Sequence, residues 1–470
     1  MSAEILPAQA PARPYRPPAP LPRTKPLSTL GFMAALRENP VATWGIWNFE
    51  KPITNGRTAL GPMTGVSSPE GIRHVMVDNV SNYVKDRLQL RVLKPGLGTG
   101  LLTAEGESWK AARRTLAPLF APRTVESFVG AMQAKSQAMV TRLLAFPTGT
   151  RINISDEMTR VTFEILTDTL FSDAVDGTSQ EFGQAFTRYF ENQGKISPLD
   201  MLNAPDWIPR FNRFRAQPAI NFFEEKVKQI IARRRGLIAT PGAVVPRDIL
   251  TLLLEAADPE TGIGLSEAEV GANIVTFIGA GHETTANALT WTLFLLAKHP
   301  AAQTAVAREA RDAENIAPVD WLDNLPMTRA VIEEAMRLYP PAPTLSRMAL
   351  ADDEVLGVRI AAGSTVIISP YVVHRHRTLW SEPDYFRPER FLPPARDQID
   401  RYAFIPFGAG PRVCIGQRFA MHEAVIVLAT LMRHLGFVMP KGESVTPLQR
   451  ITLRPSPKLE MLLAHADAST

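Results

Sequence analysis

The chain has one cysteine, Cys414, among 470 residues. A single thiol excludes any internal disulfide and any zinc or iron–sulfur site built from several cysteines, and it fits a reduced compartment. A strong charge of one sign is also missing. The 51 basic and 47 acidic residues leave a formal net charge of +4, too small and too dispersed an excess to suggest a nucleic-acid partner. The N-terminus holds no apolar run of the kind a signal peptide or membrane anchor needs. Its first 26 residues carry eight prolines interspersed with Arg13, Arg16, Arg23 and Lys25, which reads as an extended, partly polyproline arm. A soluble, cytoplasmic protein without a membrane anchor is expected. No fixed-period repeat and no Gly/Ser linker divides the chain.

What is present is an ordinary globular composition, 45% hydrophobic and 21% charged, able to bury a sizeable core. The patterning suggests an arm over residues 1–45 and one domain over 46–470. Short β-like pieces, TALGPMTGV and GIRHVMV, precede long helical patterns from about 107 to 335. Strand-like segments return in VLGVRIAAGSTVIISPYVV and ITLRPSPKLEMLLA, so the fold class is mainly α with small β-sheets. The run Arg233-Arg234-Arg235 reads as a solvated helix end. SPLDMLNAPDWIPRF, residues 197–211, reads as a connection long enough to form a lid.

The clearest element runs from Ser266 to Lys298. Ser266 with Glu269 forms a capping box, and His299-Pro300 marks the end. The helix is apolar nearly all round, so it should be buried, and His282, Glu283 and Asn287 near its middle argue against a membrane span. Gly279 and Gly281 stand just before Glu283, Thr284 and Thr285. Glycines there can open the backbone and admit a ligand. A pocket wall and a core kink with satisfied hydroxyls are equally compatible with that segment.

Three roles compete for Cys414: a buried structural thiol, a nucleophile with a histidine partner, and a metal thiolate. It lies in FGAGPRVCIG, where Gly408, Gly410 and Pro411 define a tight loop ahead of the amphipathic run GQRFAMHEAVIVLATLMRHL. The sulfur would sit at a helix N-terminus, where the dipole and free N–H groups favour an anion.

Phe407, Gly410, Cys414 and Gly416 match F-x-x-G-x-x-x-C-x-G, and here the chain resembles the cytochrome P-450 family at its haem-binding loop. Given the cysteine, the other three positions would match by chance about two times in ten thousand. Further matches follow in the family's order. Glu334 and Arg337 fit the E-x-x-R helix, and Arg390 in FRPERF fits the arginine that joins them. Trp109 and Arg113 fit W-x-x-x-R, and Ala280-Gly281-His282-Glu283-Thr284-Thr285 fits A-G-x-[DE]-T-[TS]. His374-Arg375 occupies the family's H-R position, with His376 where many relatives have aspartate. A metal pair of His374 and His376 on one strand face is disfavoured for want of a third ligand.

The resemblance, over about residues 60–465, implies the cytochrome P-450 fold: a helical domain, a smaller β-rich region, and haem b between two long helices. It implies a haem-thiolate monooxygenase that inserts one atom of O2 into a hydrophobic organic substrate and reduces the other to water. Cys414 would be the axial ligand, whose thiolate favours O–O cleavage. Glu283 and Thr284 would deliver protons. Trp109, Arg113, Arg347, His374, Phe407, Gly408, Arg412, Gly416 and Ala280 would contact the cofactor, with the arginines and His374 on its propionates. Glu334, Arg337 and Arg390 would form a structural network. Leu97, Leu101, Phe277, Ala280 and Leu345 would line the substrate pocket. Electrons would come to a monomer from a separate ferredoxin with an NAD(P)H-dependent reductase, or from a flavodoxin-type donor. That partner would dock on a basic patch of Lys110, Arg113, Arg114 and Arg418. The rivals are a peroxygenase using H2O2 without a partner, a non-catalytic haem-binding sensor, and a haem-free hydrolase.

Overall fold

A computed structural model describes residues 15–58, 61–172 and 211–465, with 185 and 199 between them. The segment read as a lid falls outside the described residues except at 199 and 211. The main helices are α1 (Thr29–Glu38), α2 (Arg87–Leu97), α3 (Gly106–Leu116), α4 (Val129–Leu144), α5 (Ile154–Phe171), α6 (Phe211–Ala239), α7 (Glu267–Lys298), α8 (Pro300–Asp312), α9 (Pro326–Leu338) and α10 (Gln417–His434). A five-stranded sheet joins β1 (Ile53–Thr58), β2 (Gly61–Val66), β3 (Tyr83–Lys85), β4 (Leu345–Ala349) and β5 (Thr365–Ile368) in the order β1-β2-β5-β4-β3. Only the β2–β5 pair is parallel within it.

Helix α7 organises the core. Ser266 accepts from the Glu269 N–H while Glu269 accepts from the Ser266 N–H, as the capping box requires. At ~1.5 Å per residue the rod is roughly 48 Å long. It packs against α5, α9 and α10. Trp291 stacks on Tyr339 with centroids 3.8 Å apart and donates to the Leu453 carbonyl at 3.1 Å. Among the described residues no helix is long and apolar enough to cross a membrane.

Several expectations need correction. Helix α7 runs without a break through Gly279 and Gly281. A Cβ on Gly281 would come within 3.2 Å of Leu166, so this glycine admits a neighbouring helix, α5, rather than a ligand. GIRHVMV is helical, not extended: Pro69–Arg73 continues into a wider turn over His74–Asp78. Arg234 is not solvated. It is buried, donating to Asp248 and to the Phe171 carbonyl at 3.0 Å, and so ties α6 to the end of α5. The arm, from Tyr15 onward, lies against the body. Phe386 N donates to Tyr15 O, Tyr339 Oη donates to Pro18 O, and Arg23 pairs its backbone with Trp44 and Ile46.

Candidate haem site

The loop carrying Cys414 is shaped by its glycines. Gly408 and Gly410 adopt φ of 77° and 69°, a region that side chains avoid. A Cβ on Gly410 would fall 1.9 Å from the Met76 carbonyl oxygen, so no other residue fits there. A tight turn over Gly410–Arg412 follows, Cys414 N donates to Phe407 O at 2.9 Å, and Gly416 caps α10. Cys414 faces a cavity of about 210 Å3 with Thr284, Thr285, Leu345, Arg347, Phe407, Gly408 and Arg412. Helix α7 therefore supplies one wall, and the thiol with α10 the other.

Protein surrounds Cys414 although its cavity side is accessible. Burial pushes its pKa up, opposed by the Gly416 N–H and by Arg113. The Gly416 N–H at the helix start and Arg113 favour the anion, as the sequence suggests, against the cost of burial.

Beside the cavity lies an unbalanced set of charges. Arg412 donates to the Ala104 carbonyl at 3.1 Å and to Glu105 at 2.6 Å, with its guanidinium 4.1 Å from the Trp109 ring. Lys85 donates to the same carbonyl at 2.9 Å and pairs with Glu105 at 3.1 Å. Burial, reinforced by repulsion from Arg412, pulls Lys85 down to about 8 and Arg347 to about 10. Burial also lowers Arg113, which Cys414 opposes. Among the described residues, Lys85, Arg347 and Arg412 share two carboxylates, Glu105 and Asp86, while Arg113 faces Cys414. That cluster is one cation in excess, with Arg113 a further cation beside the sulfur, and the two propionates of haem would supply the missing negative charge. Together with the accessible thiol, this donor set fits haem. Lys85 was missed in the sequence because no motif marks it, and only folding brings β3 beside the loop.

The ion-pair network is in place. Arg337 Nε donates to Glu334 at 2.6 Å and Nη2 at 2.8 Å, both side chains being fully buried. Arg337 also donates to the carbonyls of His374, Pro383 and Tyr385 at 2.8, 2.8 and 3.0 Å. Arg390 approaches Glu334 at 3.7 Å and donates to Glu382 O at 2.9 Å.

Other assignments move. His374 is fully buried away from the cavity, accepting from the Ile405 N–H at 2.9 Å. Burial and Arg337 pull it down to about 3, so it is a neutral support of the cysteine loop and not a propionate contact. His376 bonds Lys51 O and Thr378 instead of sharing a strand face with His374, because residues 370–373 form a helical turn. Leu97, Leu101 and Phe277 are core residues that do not border the cavity. Phe277 packs edge-on against Phe120 at 5.2 Å. Ala280 is exposed on α7 one turn before Thr284, and its carbonyl accepts from Thr284 Oγ1 at 2.7 Å. Only Leu345 of the proposed pocket set borders the cavity. Glu283 and Thr284 do not bond each other: Glu283 accepts from Thr452 Oγ1 at 2.7 Å. The basic patch is largely neutralised, with Lys110 on Glu107, Arg114 on Asp258 and Glu260, and Arg418 on Glu126, while Arg113 faces Cys414.

Comparison with known proteins decides what this site belongs to. Residues 31–463 match the family model described as Cytochrome P-450. The chain belongs to the cytochrome P-450 family. Human cytochrome P-450 4V2 is 28% identical over 428 residues, 87% of this chain and 81% of that protein. Cyclooctatin synthase of Streptomyces melanosporofaciens is 30% identical, covering 83% of each chain. Cytokinin hydroxylase of Arabidopsis thaliana is 30% identical, covering 86% of this chain and 79% of the other. As a cytochrome P-450 the protein is an oxidoreductase of monooxygenase type, and its cofactor is haem with an axial cysteine thiolate.

Proposed function

We propose that this cytochrome P-450 hydroxylates a hydrophobic organic substrate, Cys414 being the axial ligand and Thr284 the proton donor on the opposite wall. The observation that carries the reading is one cavity bordered by Cys414, Thr284 and Arg347, beside a cluster of cations that its carboxylates do not balance. Haem, when bound, supplies the iron at which O2 is reduced. Arg113, Arg347, Arg412 and Lys85 would hold the propionates, and Trp109 backs Arg412 through its ring face. Thr284 Oγ1 is bonded to Ala280 O. Released from that carbonyl, it can pass a proton into the cavity and recover one through water from the neighbouring Glu283. Apolar Leu102, Ala288, Ile332 and Met336 on the cavity wall exclude bulk water and suit an apolar substrate.

Electrons are supplied by a separate donor, a ferredoxin or flavodoxin with its NAD(P)H-dependent reductase, to a cytoplasmic monomer. That the electrons trace back to a reductase is supported by a bifunctional P-450/NADPH–P-450 reductase of Alternaria alternata, 30% identical over 77% of this chain. Because the basic side chains of the proximal surface are already paired, docking would exchange these partners instead of filling a bare patch. Reduced protein under carbon monoxide should give the red-shifted Soret band of a thiolate ligand, and a reconstituted donor system should give hydroxylated product. A normal band with turnover by peroxide alone would replace the reading with a peroxygenase, and a band without any turnover would replace it with a sensor. Thr284→Ala should divert most electrons into peroxide while keeping the thiolate band.

A further inference from the structure

The proline-rich arm roofs a second, smaller pocket. It measures about 190 Å3 and lies between residues 16–22 of the arm and Phe49, Tyr371, Arg375, Arg377 and Asp384 of the body. None of its lining residues borders the haem cavity. Sites for drug-sized ligands run to ~300–1,000 Å3, so an occupant of this pocket must be small.

The floor of the pocket is a buried cation. Arg375 follows the helical turn over Pro370–Val373 and is 3% exposed. Its guanidinium lies 4.2 Å from the centre of the Tyr371 ring and 5.7 Å from that of Tyr339. Ring faces attract the charge but leave its N–H donors in want of acceptors. Among the described residues the guanidinium has no carboxylate in ion-pair range, and Nη1 is enclosed without a hydrogen-bond partner. A buried charge is costly unless it is paired and hydrogen bonded.

The mouth adds positive charge. Exposed Arg16 of the arm and half-buried Arg377 of the body meet on one oxygen, Asp384 Oδ2, at 3.4 and 2.9 Å. Among the described residues, three guanidinium groups and a single carboxylate border the pocket, which leaves two positive charges over. Four of residues 16–22 are proline and bring no N–H, so recognition of a ligand here falls to the guanidinium groups.

We infer that this pocket binds a small tetrahedral oxyanion of the phosphate type, held from below by Arg375 and at the mouth by Arg16 and Arg377. Forked guanidinium donors match the oxygens of such an ion, each bond being assisted by charge on both partners. The ion joins the arm to the body in addition to the arm's backbone hydrogen bonds. By linkage, whatever Arg16 adds to the affinity for the anion, the anion returns to the docking of the arm.

The test uses the haem-loaded full chain in phosphate-free buffer, titrated with inorganic phosphate by calorimetry while potassium chloride holds the ionic strength constant. Phosphate should bind one to one and raise the melting temperature, and potassium chloride alone should do neither. R16Q, outside the lining of the haem cavity, should weaken binding about tenfold, the value of one charge-assisted hydrogen bond. R375Q, checked for an unaltered carbon monoxide spectrum, should abolish it. D384N removes the competing carboxylate and should tighten binding at least about threefold. No saturable binding, or equal stabilisation by chloride, leaves only water and screening in the pocket and overturns the inference. An affinity unchanged in R16Q, or no tighter in D384N, puts the ion elsewhere and overturns it as well. These two variants decide the matter even where R375Q fails to fold.

Discussion

Replacing Arg337 with methionine tests whether the buried pair with Glu334 is a simple ion pair or the centre of a larger network. Both side chains are fully buried, and the guanidinium serves Glu334 through two nitrogens and three backbone carbonyls besides. R337M leaves the Glu334 carboxylate without its main partner, at a cost of about 3–5 kcal/mol. It also strands the carbonyls of His374, Pro383 and Tyr385, each at about 1–3 kcal/mol. The total reaches the ~5–15 kcal/mol that holds a domain together, so R337M should lack a cooperative urea transition and should not take up haem. The double variant E334L/R337M removes the charge but not the orphaned carbonyls. It should remain destabilised by more than about 3 kcal/mol, measured by circular dichroism during urea unfolding. R337K, which keeps a charge but loses the fork, should fall between native and R337M. A double variant within about 1 kcal/mol of the native chain would refute the network argument, since an isolated buried pair can be swapped for apolar residues at little cost.

C414A should abolish the thiolate spectrum and oxygenation while leaving the far-ultraviolet helical signal near native; an unchanged carbon monoxide band would dismiss the axial assignment. Glu423, bonded by the Thr285 side chain and otherwise desolvated, is raised from 4.5 to about 8. Between those values the folded chain keeps a proton that the unfolded chain has released, so Glu423 makes stability fall as pH rises, by at most about 1.4 kcal/mol per pH unit. E423Q should flatten that part of the profile, and identical profiles for the two proteins would rule out a buried neutral acid. Lys85 works in the opposite direction. With its pKa lowered from 10.5 to about 8, the haem-free chain should gain stability between those values, where only the unfolded chain is protonated. K85M should remove this gain. Its persistence in K85M would assign the slope to another group.

How much of this could be read in the residues depends on whether the information is local. The capping box at Ser266, the cysteine loop and the E-x-x-R spacing each lie within ten consecutive residues, and the structure places them as the patterning suggests. What failed was orientation across distance. His374 and Arg113 are both near the cysteine loop, yet only folding decides that one supports it from behind while the other faces the sulfur. Leu97, Leu101 and Phe277 are apolar and close in the chain to site residues, but apolar character alone cannot separate a pocket wall from a core. The pairing of Arg114 with Asp258 spans 144 positions, and no local pattern could show that the patch was already neutralised.

The docked arm has a practical corollary. Tyr15 hydrogen bonds through its backbone to Phe386, whose neighbour Arg387 donates its N–H to Glu334. Pro18 meanwhile receives the hydroxyl of Tyr339, itself stacked on Trp291 of the central helix. The proline-rich stretch is thus a seam closing the back of the molecule, stitched at both ends to the residues behind the haem. A chain begun after Pro18 opens the seam and exposes the Tyr339 ring, so trimming there should lower haem retention without touching any residue of the cavity.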